Sequence, residues 1–283
     1  MPIAPLAFRF QDRHIPCDGK AYLMGILNVT PDSFSDGGQF ISLDHAIAHG
    51  HELARNGAHI IDVGGESTRP GHLPVSTEEE IRRVVPVIRE LSRQISVPIS
   101  VDTSKAAVAE AAIRAGASII NDVSAGENDP DGMIAVIKNY RVGTILMHSQ
   151  PLPPDAQRGD QTAHAIAAYF QQRLDSLSTA TGLDKVFFML DPGIGFRKDL
   201  AQNLAVIKHL GDFRALGCPV LMGPSRKSFL GRITGHDNPQ DRIWATAAAA
   251  AACVVLGADV IRVHDLCEMR DVLLVAEAIA TAD

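Results

Sequence analysis

A chain of 283 residues, 46% hydrophobic, 21% charged and 5% aromatic, is long enough for one large α/β barrel and too apolar for disorder. Its 26 Lys and Arg against 33 Asp and Glu leave a formal charge of −7, which argues against a general nucleic-acid or membrane-surface binder but permits a local cationic pocket. Residues 1–19 hold no long apolar run behind a basic start, and Cys17, Cys218, Cys253 and Cys267 lack metal-ligand spacing, so a cytoplasmic protein without leader or membrane span is expected.

In chain order, apolar runs rich in Ile, Val and Leu occupy residues 22–27 before Asn28, 59–63 before Gly64, and 98–101 before Asp102. Next come 118–120 before Asn121, 143–147 before His148, and 186–190 before Asp191. The last two are 219–222 before Gly223 and 259–261 before Arg262. Continuous apolar character, rather than alternation, predicts strands buried on both faces of a parallel sheet. Helix-like segments separate them. Residues 43–56 close at Gly57, and a capping box of Ser76 or Thr77 with Glu79 or Glu80 opens a helix running to about residue 94. Residues 105–115 close at Gly116, and 133–139, 162–181, 201–216, 240–256 and 266–280 complete the set. Eight strand–helix repeats predict a single (β/α)8 TIM barrel over 1–283, with the barrel proper at about 22–281 behind a short N-terminal extension. A doubly wound open sheet is the weaker alternative, since no G-x-G-x-x-G follows the first strand. Residues 151–154, rich in proline, read as a loop after the fifth strand.

Asn28, Asp102, Asn121, Asp191, Lys227 and Arg262 all fall at, or just beyond, the C-terminal end of an apolar run. Loops are wet, so any one of them is explained by position alone. Together they define the rim on which a barrel builds its chemistry. Asp102, Asn121 and Asp191 suit a flat heterocycle with an amino-imino edge, because a carboxylate accepts two N–H bonds side by side. Arg69, Lys227, Arg262 and His264 suit phosphate oxygens or a carboxylate. Asn28, a neutral oxygen ligand, suits Mg²⁺, which keeps several waters and shares its substrate's phosphates.

Other features read as structural. His45, His49 and His51 mark a solvated helix face, for no carboxylate follows HExxH grammar. Gly223-Pro-Ser-Arg-Lys-Ser228 lacks the glycine spacing of a phosphate loop, and Ser67, Ser225 and Ser228 sit in no G-x-S-x-G elbow. The alanine run 247–252 predicts close helix packing within the barrel layer rather than a dimer face.

Met24-Gly-Ile-Leu-Asn-Val-Thr-Pro-Asp-Ser-Phe-Ser-Asp-Gly-Gly38 and Asp62-Val-Gly-Gly-Glu-Ser-Thr-Arg-Pro-Gly71 resemble the first two loops of the dihydropteroate synthase family. Ser100-Val-Asp-Thr-Ser-Lys105, Asn121-Asp-Val123, Leu146-Met-His148, Asp191-Pro-Gly-Ile-Gly-Phe196, Ser225-Arg-Lys-Ser228 and Arg262-Val-His-Asp265 continue the match in order over nearly the whole chain. The resemblance implies condensation of 6-hydroxymethyl-7,8-dihydropterin diphosphate with 4-aminobenzoate, on a TIM barrel that is a homodimer and uses Mg²⁺. By motif position it places the pterin on Asp102, Asn121, Asp191 and Lys227, with Met147 and Arg262 flanking the ring. It places Mg²⁺ on Asn28, the diphosphate on Arg69, Arg262 and His264, and the aminobenzoate side on Phe34, Thr68, Pro70, Phe196 and Ser228. It also implies sensitivity to sulfonamides. Arg197 and Ser149 depart from the family pattern, which usually has a small residue and often a methionine there. Three other readings remain. A corrinoid-dependent methyltransferase domain has no need of the Ser-Thr-Arg-Pro-Gly and Ser-Arg-Lys-Ser pieces. A Schiff-base aldolase would need Lys227 desolvated, whereas the neighbouring Arg226 fits a charged, anion-binding lysine. A non-catalytic paralogue would not keep every site position filled.

Overall fold

The computed structural model describes residues 6–29, 39–66, 73–156 and 159–282. Its barrel strands are β3 (Tyr22–Asn28), β4 (Ile60–Gly64), β5 (Ile99–Asp102), β6 (Ile119–Asp122), β7 (Gly143–Met147), β8 (Phe188–Asp191), β9 (Leu221–Met222) and β10 (Val260–Val263). They are preceded by a hairpin of β1 (Ala7–Phe10) and β2 (Arg13–Pro16). All barrel pairings are parallel, in the order β8-β7-β6-β5-β4-β3-β10-β9, and a single Leu190–Val220 bridge closes β8 against β9. Helices α1 (Gln39–Arg55), α2 (Thr77–Gln94), α3 (Ala106–Ala115), α4 (Pro130–Tyr140) and α5 (Gly159–Thr181) follow the first five barrel strands. The predicted helix 201–216 is broken at His209 into α6 (Leu200–Lys208) and α7 (Leu210–Arg214). A short α8 (Ser228–Thr234), not anticipated from sequence, precedes α9 (Ile243–Val255), and α10 (Leu266–Ala280) ends the chain's last repeat. The expected Ser76 cap is present, accepting from the Glu79 N–H at 3.2 Å.

The central strands are buried on both faces, as expected, and the two faces belong to different apolar clusters. Met24, Ile60, Ile119, Ile145, Met189, Leu221 and Val260 form an apolar cluster that excludes their sequence neighbours Leu23, Ile61, Ile120, Leu146, Leu190, Met222 and Ile261, which belong to the larger core with the helices. Two strand positions further on, side chains of the first parity are Asp62, Asn121, Met147, Asp191 and Arg262. The barrel interior is thus apolar below and polar above.

The hairpin closes the bottom. Phe8, Phe10 and Ile15 join the lower interior cluster, and a Cβ on Gly143 would sit 2.7 Å from the Phe8 ring, so glycine there admits the plug. With Phe8 0% exposed, Phe8→Ala should cost about 3–5 kcal/mol in denaturant unfolding, the usual range for a buried phenylalanine, while leaving kcat of the folded fraction near wild type.

Candidate active site

Asp102 and Asp191 end β5 and β8, and Asn121 is the penultimate residue of β6. Arg262 lies inside β10 rather than beyond it, and its alternation carries the guanidinium into the barrel. There its Nε donates to Asp62 Oδ2 at 2.7 Å and one Nη to Asp102 Oδ2 at 2.8 Å. Asn121 Nδ2 donates to the same Asp62 oxygen at 3.0 Å. Asp62 is fully buried, and its Oδ1 has no hydrogen-bond partner among the described residues. Sequence reading missed this residue. It opens the second family motif but stands in the middle of an apolar run, where a lone acid suggests no role, and only the structure shows it to be the hub that orients Arg262 and Asn121. Burial raises the Asp102 carboxyl pKa above the ordinary range, with Asp62 adding to the effect and Arg262 opposing it. Burial also raises that of Asp191, against its hydrogen bond from the Gly193 N–H at 2.8 Å and the pull of Lys227.

Lys227 enters from the loop between β9 and α8. Its Nζ lies 4.1 Å from the Phe196 ring centroid, a cation–π contact, and burial brings its pKa down to about 8 although Asp191 opposes that shift. Arg226 is itself held by structural partners. Its Nε donates to Asp265 at 3.0 Å and its backbone N–H to Thr246 Oγ1 at 3.0 Å, which holds the residue at φ +56°. The next residue, Lys227, has its charge near Asp191, Arg262 and Asp102. His264 stands beside the same loop, its Nδ1 2.8 Å from Ser225 Oγ.

The β8–α6 turn carries Phe196. Gly193 occupies φ +69°, and a Cβ there would collide with the His148 carbonyl oxygen. Lys198 Nζ donates to the carbonyls of Gly193 at 2.9 Å, His148 at 3.1 Å and Phe196 at 3.3 Å. Burial lowers its pKa to about 7. Met147, at the end of β7, is 3% exposed. Arg197 is exposed, and with Asp102, Thr103, Ser149 and Phe196 it lines a rim cleft of ≈ 510 Å³. Ser149 donates to the Val123 carbonyl at 2.6 Å, a local tie between the loops after β6 and β7.

Of the remaining predicted residues, Asn28 ends β3 beside Gly64, from which a Cβ would reach its Oδ1 at 3.7 Å and Asp102 Oδ2 at the same distance. Ser228 opens α8 and is exposed. Phe34, Thr68, Arg69 and Pro70 lie outside the described residues. So does Ser67, the remaining serine considered in the elbow test. The last described residue before that second loop, Glu66, is bound by Lys105 Nζ at 2.5 Å, which also contacts Glu80 at 2.6 Å and the Val75 carbonyl at 2.8 Å. His45 and His49 are exposed on α1, in keeping with a solvated face.

Buried carboxylates and an amide can grip the N–H edge of a planar ring, while a guanidinium and an ammonium beside them neutralise an attached anion. Such a mouth on a (β/α)8 barrel defines an enzyme class that binds a nitrogen heterocycle bearing an anionic group. The comparisons agree. Residues 24–264 match the family model described as pterin binding enzyme. Dihydropteroate synthase from Synechocystis sp. is 42% identical over 264 residues, covering 92% of this chain and 90% of that protein. The Xanthomonas albilineans dihydropteroate synthase structure with 4-aminobenzoic acid superposes with a TM-score of 0.90 at 40% identity, over 99% of this chain and 100% of that one. The same enzyme in complex with 7,8-dihydropteroate gives 0.86 at 39% identity, over 97% and 100%. The chain belongs to the pterin-binding enzyme family, among the dihydropteroate synthases.

Proposed function

We propose that this chain condenses 6-hydroxymethyl-7,8-dihydropterin diphosphate with 4-aminobenzoate, giving 7,8-dihydropteroate and diphosphate. The observation that carries the reading is the Arg262–Asp62–Asn121–Asp102 network at the pocket floor, with Lys227 and Asp191 against it. In this reading Asp102, Asn121, Asp191 and Lys227 bind the ring, and Met147 and Arg262 flank it. Arg69, Arg262 and His264 receive the diphosphate, and Phe34, Thr68, Pro70, Phe196 and Ser228 form the aminobenzoate side. The methylene C–O bond breaks first, leaving electrons on the diphosphate oxygens, where Lys227 and Arg262 stabilise the accumulating charge. The electron-poor methylene is delocalised into the ring, whose cation the acidic floor favours. The arylamine is unprotonated at neutral pH, so its lone pair forms the C–N bond and the proton passes to solvent without a strong general base.

Asn28 fits the Mg²⁺ that the family implies. Its donor is one neutral oxygen beside the pocket, and among the described residues no cluster of three His, Cys, Asp or Glu competes as a metal site. When bound there, Mg²⁺ would neutralise charge on the departing diphosphate.

The assignment also includes a homodimer in the cytoplasm. Ala249 and Ala250 pack into the core as expected, while Ala247, Ala251 and Ala252 also line an exposed apolar groove with Val255, Val275 and Ile279, the last two 60% and 61% exposed, which supports the dimer. Four free cysteines, three of them buried, support a reducing compartment. No helix among the described residues is long and apolar enough to cross a membrane.

The aldolase alternative regains one of its requirements, because Lys227 is desolvated. The Phe196 ring and the Asp191 carboxylate around Lys227 still favour its ammonium. The deciding measurement is diphosphate release. It should require both substrates and be inhibited by a sulfonamide competitively with 4-aminobenzoate. Borohydride trapping of a substrate on Lys227, with no diphosphate released, would replace the synthase reading by the aldolase one.

A further inference from the structure

We propose that Lys198 is a positioning residue for 4-aminobenzoate: it pins the turn 193–196 to the end of β7 and so holds the Phe196 ring against Lys227. The inference rests on Phe196 walling the aminobenzoate side.

An ammonium has three protons and no acceptor, and Lys198 Nζ meets three carbonyl oxygens. Two belong to the turn, at Gly193 and Phe196, and the third to His148, directly after β7. The lysine therefore ties the exits of two neighbouring strands together through one atom. A fourth neighbour, His148 Nδ1 at 3.2 Å, belongs to an imidazole that burial brings down to about 3, so it remains neutral. The other charged groups facing the ammonium are Asp191, which holds its proton on, and Lys227, which opposes it.

The opposite side of the turn is secured separately. Asn203 Oδ1 accepts from the Gly195 N–H at 2.6 Å, and its Nδ2 donates to the Lys198 and Asp199 carbonyls at 3.1 and 2.7 Å. Asn203 thus fastens the turn to α6, and the Asp199–Gln202 capping box fixes that end of the helix. Lys198 alone among these fastens it to the barrel beside β7. Phe196 sits at the junction. Its carbonyl is held by Lys198, its N–H donates to the Gly193 carbonyl at 3.2 Å, and its ring lies under Lys227 Nζ. Releasing the lysine frees the ring, leaves Asp102, Asn121 and Arg262 in place and leaves Asp191 with Lys227 and Arg262 still near it, so the second substrate should suffer more than the first.

The test is steady-state kinetics of Lys198→Met with calorimetry of pterin diphosphate and Mg²⁺. We expect the 4-aminobenzoate KM to rise ~10-fold, kcat to change less than ~3-fold, and pterin diphosphate Kd to stay within ~2-fold of wild type. In a Phe196→Ala background the same substitution should add nothing to KM, since the lysine acts through that ring. Should Lys198→Met fail to fold, Lys198→Arg keeps the charge, but its planar fork cannot serve three acceptors around one point. It should raise the same KM ~3-fold or more. A wild-type aminobenzoate KM in whichever variant folds, or an undiminished effect without Phe196, overturns the proposal. Absence of diphosphate release by the wild-type enzyme would instead overturn the synthase reading beneath it.

Discussion

Lys227→Ala is expected to lower kcat/KM ~100-fold or more, since it removes a cation from a pocket where charge develops on the leaving group. Lys227 lies against the Phe196 ring and near Asp191, Arg262 and Asp102. Its loss also removes one of the three cations, with Lys198 and Arg262, that oppose the desolvation of Asp191. The pH profile carries a second signature. A lysine with pKa about 8 is charged below that value and neutral above it, so kcat/KM should fall as pH rises through about 8. In Lys227→Arg, which stays charged at any accessible pH, this limb should disappear whatever the residual rate. A residual limb near 7 would belong to Lys198. Near-normal kcat/KM in Lys227→Ala would remove the lysine from the reaction.

Asp102→Asn is expected to weaken pterin diphosphate binding ~10–100-fold with circular dichroism unchanged. The amide turns an N–H₂ toward partners that are donors themselves, the ring edge on one side and Arg262 on the other. Asp62→Asn should produce a similar loss without touching the ring, because Arg262 Nε and Asn121 Nδ2 both donate to Asp62 Oδ2. Acid should mimic the Asp102 substitution. Burial raises the Asp102 pKa, so the carboxylate is lost as pH falls at values above the ordinary range, and pterin affinity should decline there more steeply in wild type than in Asp102→Asn, where only the raised Asp191 still titrates. A wild-type pterin Kd for Asp102→Asn would take that residue out of the pocket.

The barrel was legible because its eight strands are short apolar runs ending in polar residues, a pattern that survives the alternation hidden inside it. Ile60, Asp62 and Gly64 share one parity in β4, yet the run reads as uniformly apolar because Ile61 and Val63 fill the outer face. The hairpin β1–β2 was not legible. Its strands have four residues each and carry Arg9, Arg13 and His14, so only Phe8, Phe10 and Ile15 hint at a plug, and what they cover is set by tertiary contact. Among the candidate site residues, Asn28, Asp102 and Asp191 were chosen by position, and the structure does put them at strand ends. Asp62 and Lys198 were missed for opposite reasons. A lone acid inside a strand is masked by its neighbours, and a lysine in a loop reads as solvated until three carbonyls are found around it. Arg262 was placed beyond its strand because a charged residue looks like an end, whereas here it is the interior ligand of two carboxylates.

The central claim is that one barrel mouth holds a flat ring and neutralises its departing anion. A crystal structure with pterin diphosphate and Mg²⁺ soaked in tests it most directly. The expected density places the ring against Asp102, Asn121 and Asp191, with the diphosphate toward Arg262 and His264 and the metal on Asn28. A ring bound elsewhere on the molecule, with these side chains still engaged only with one another, would contradict it.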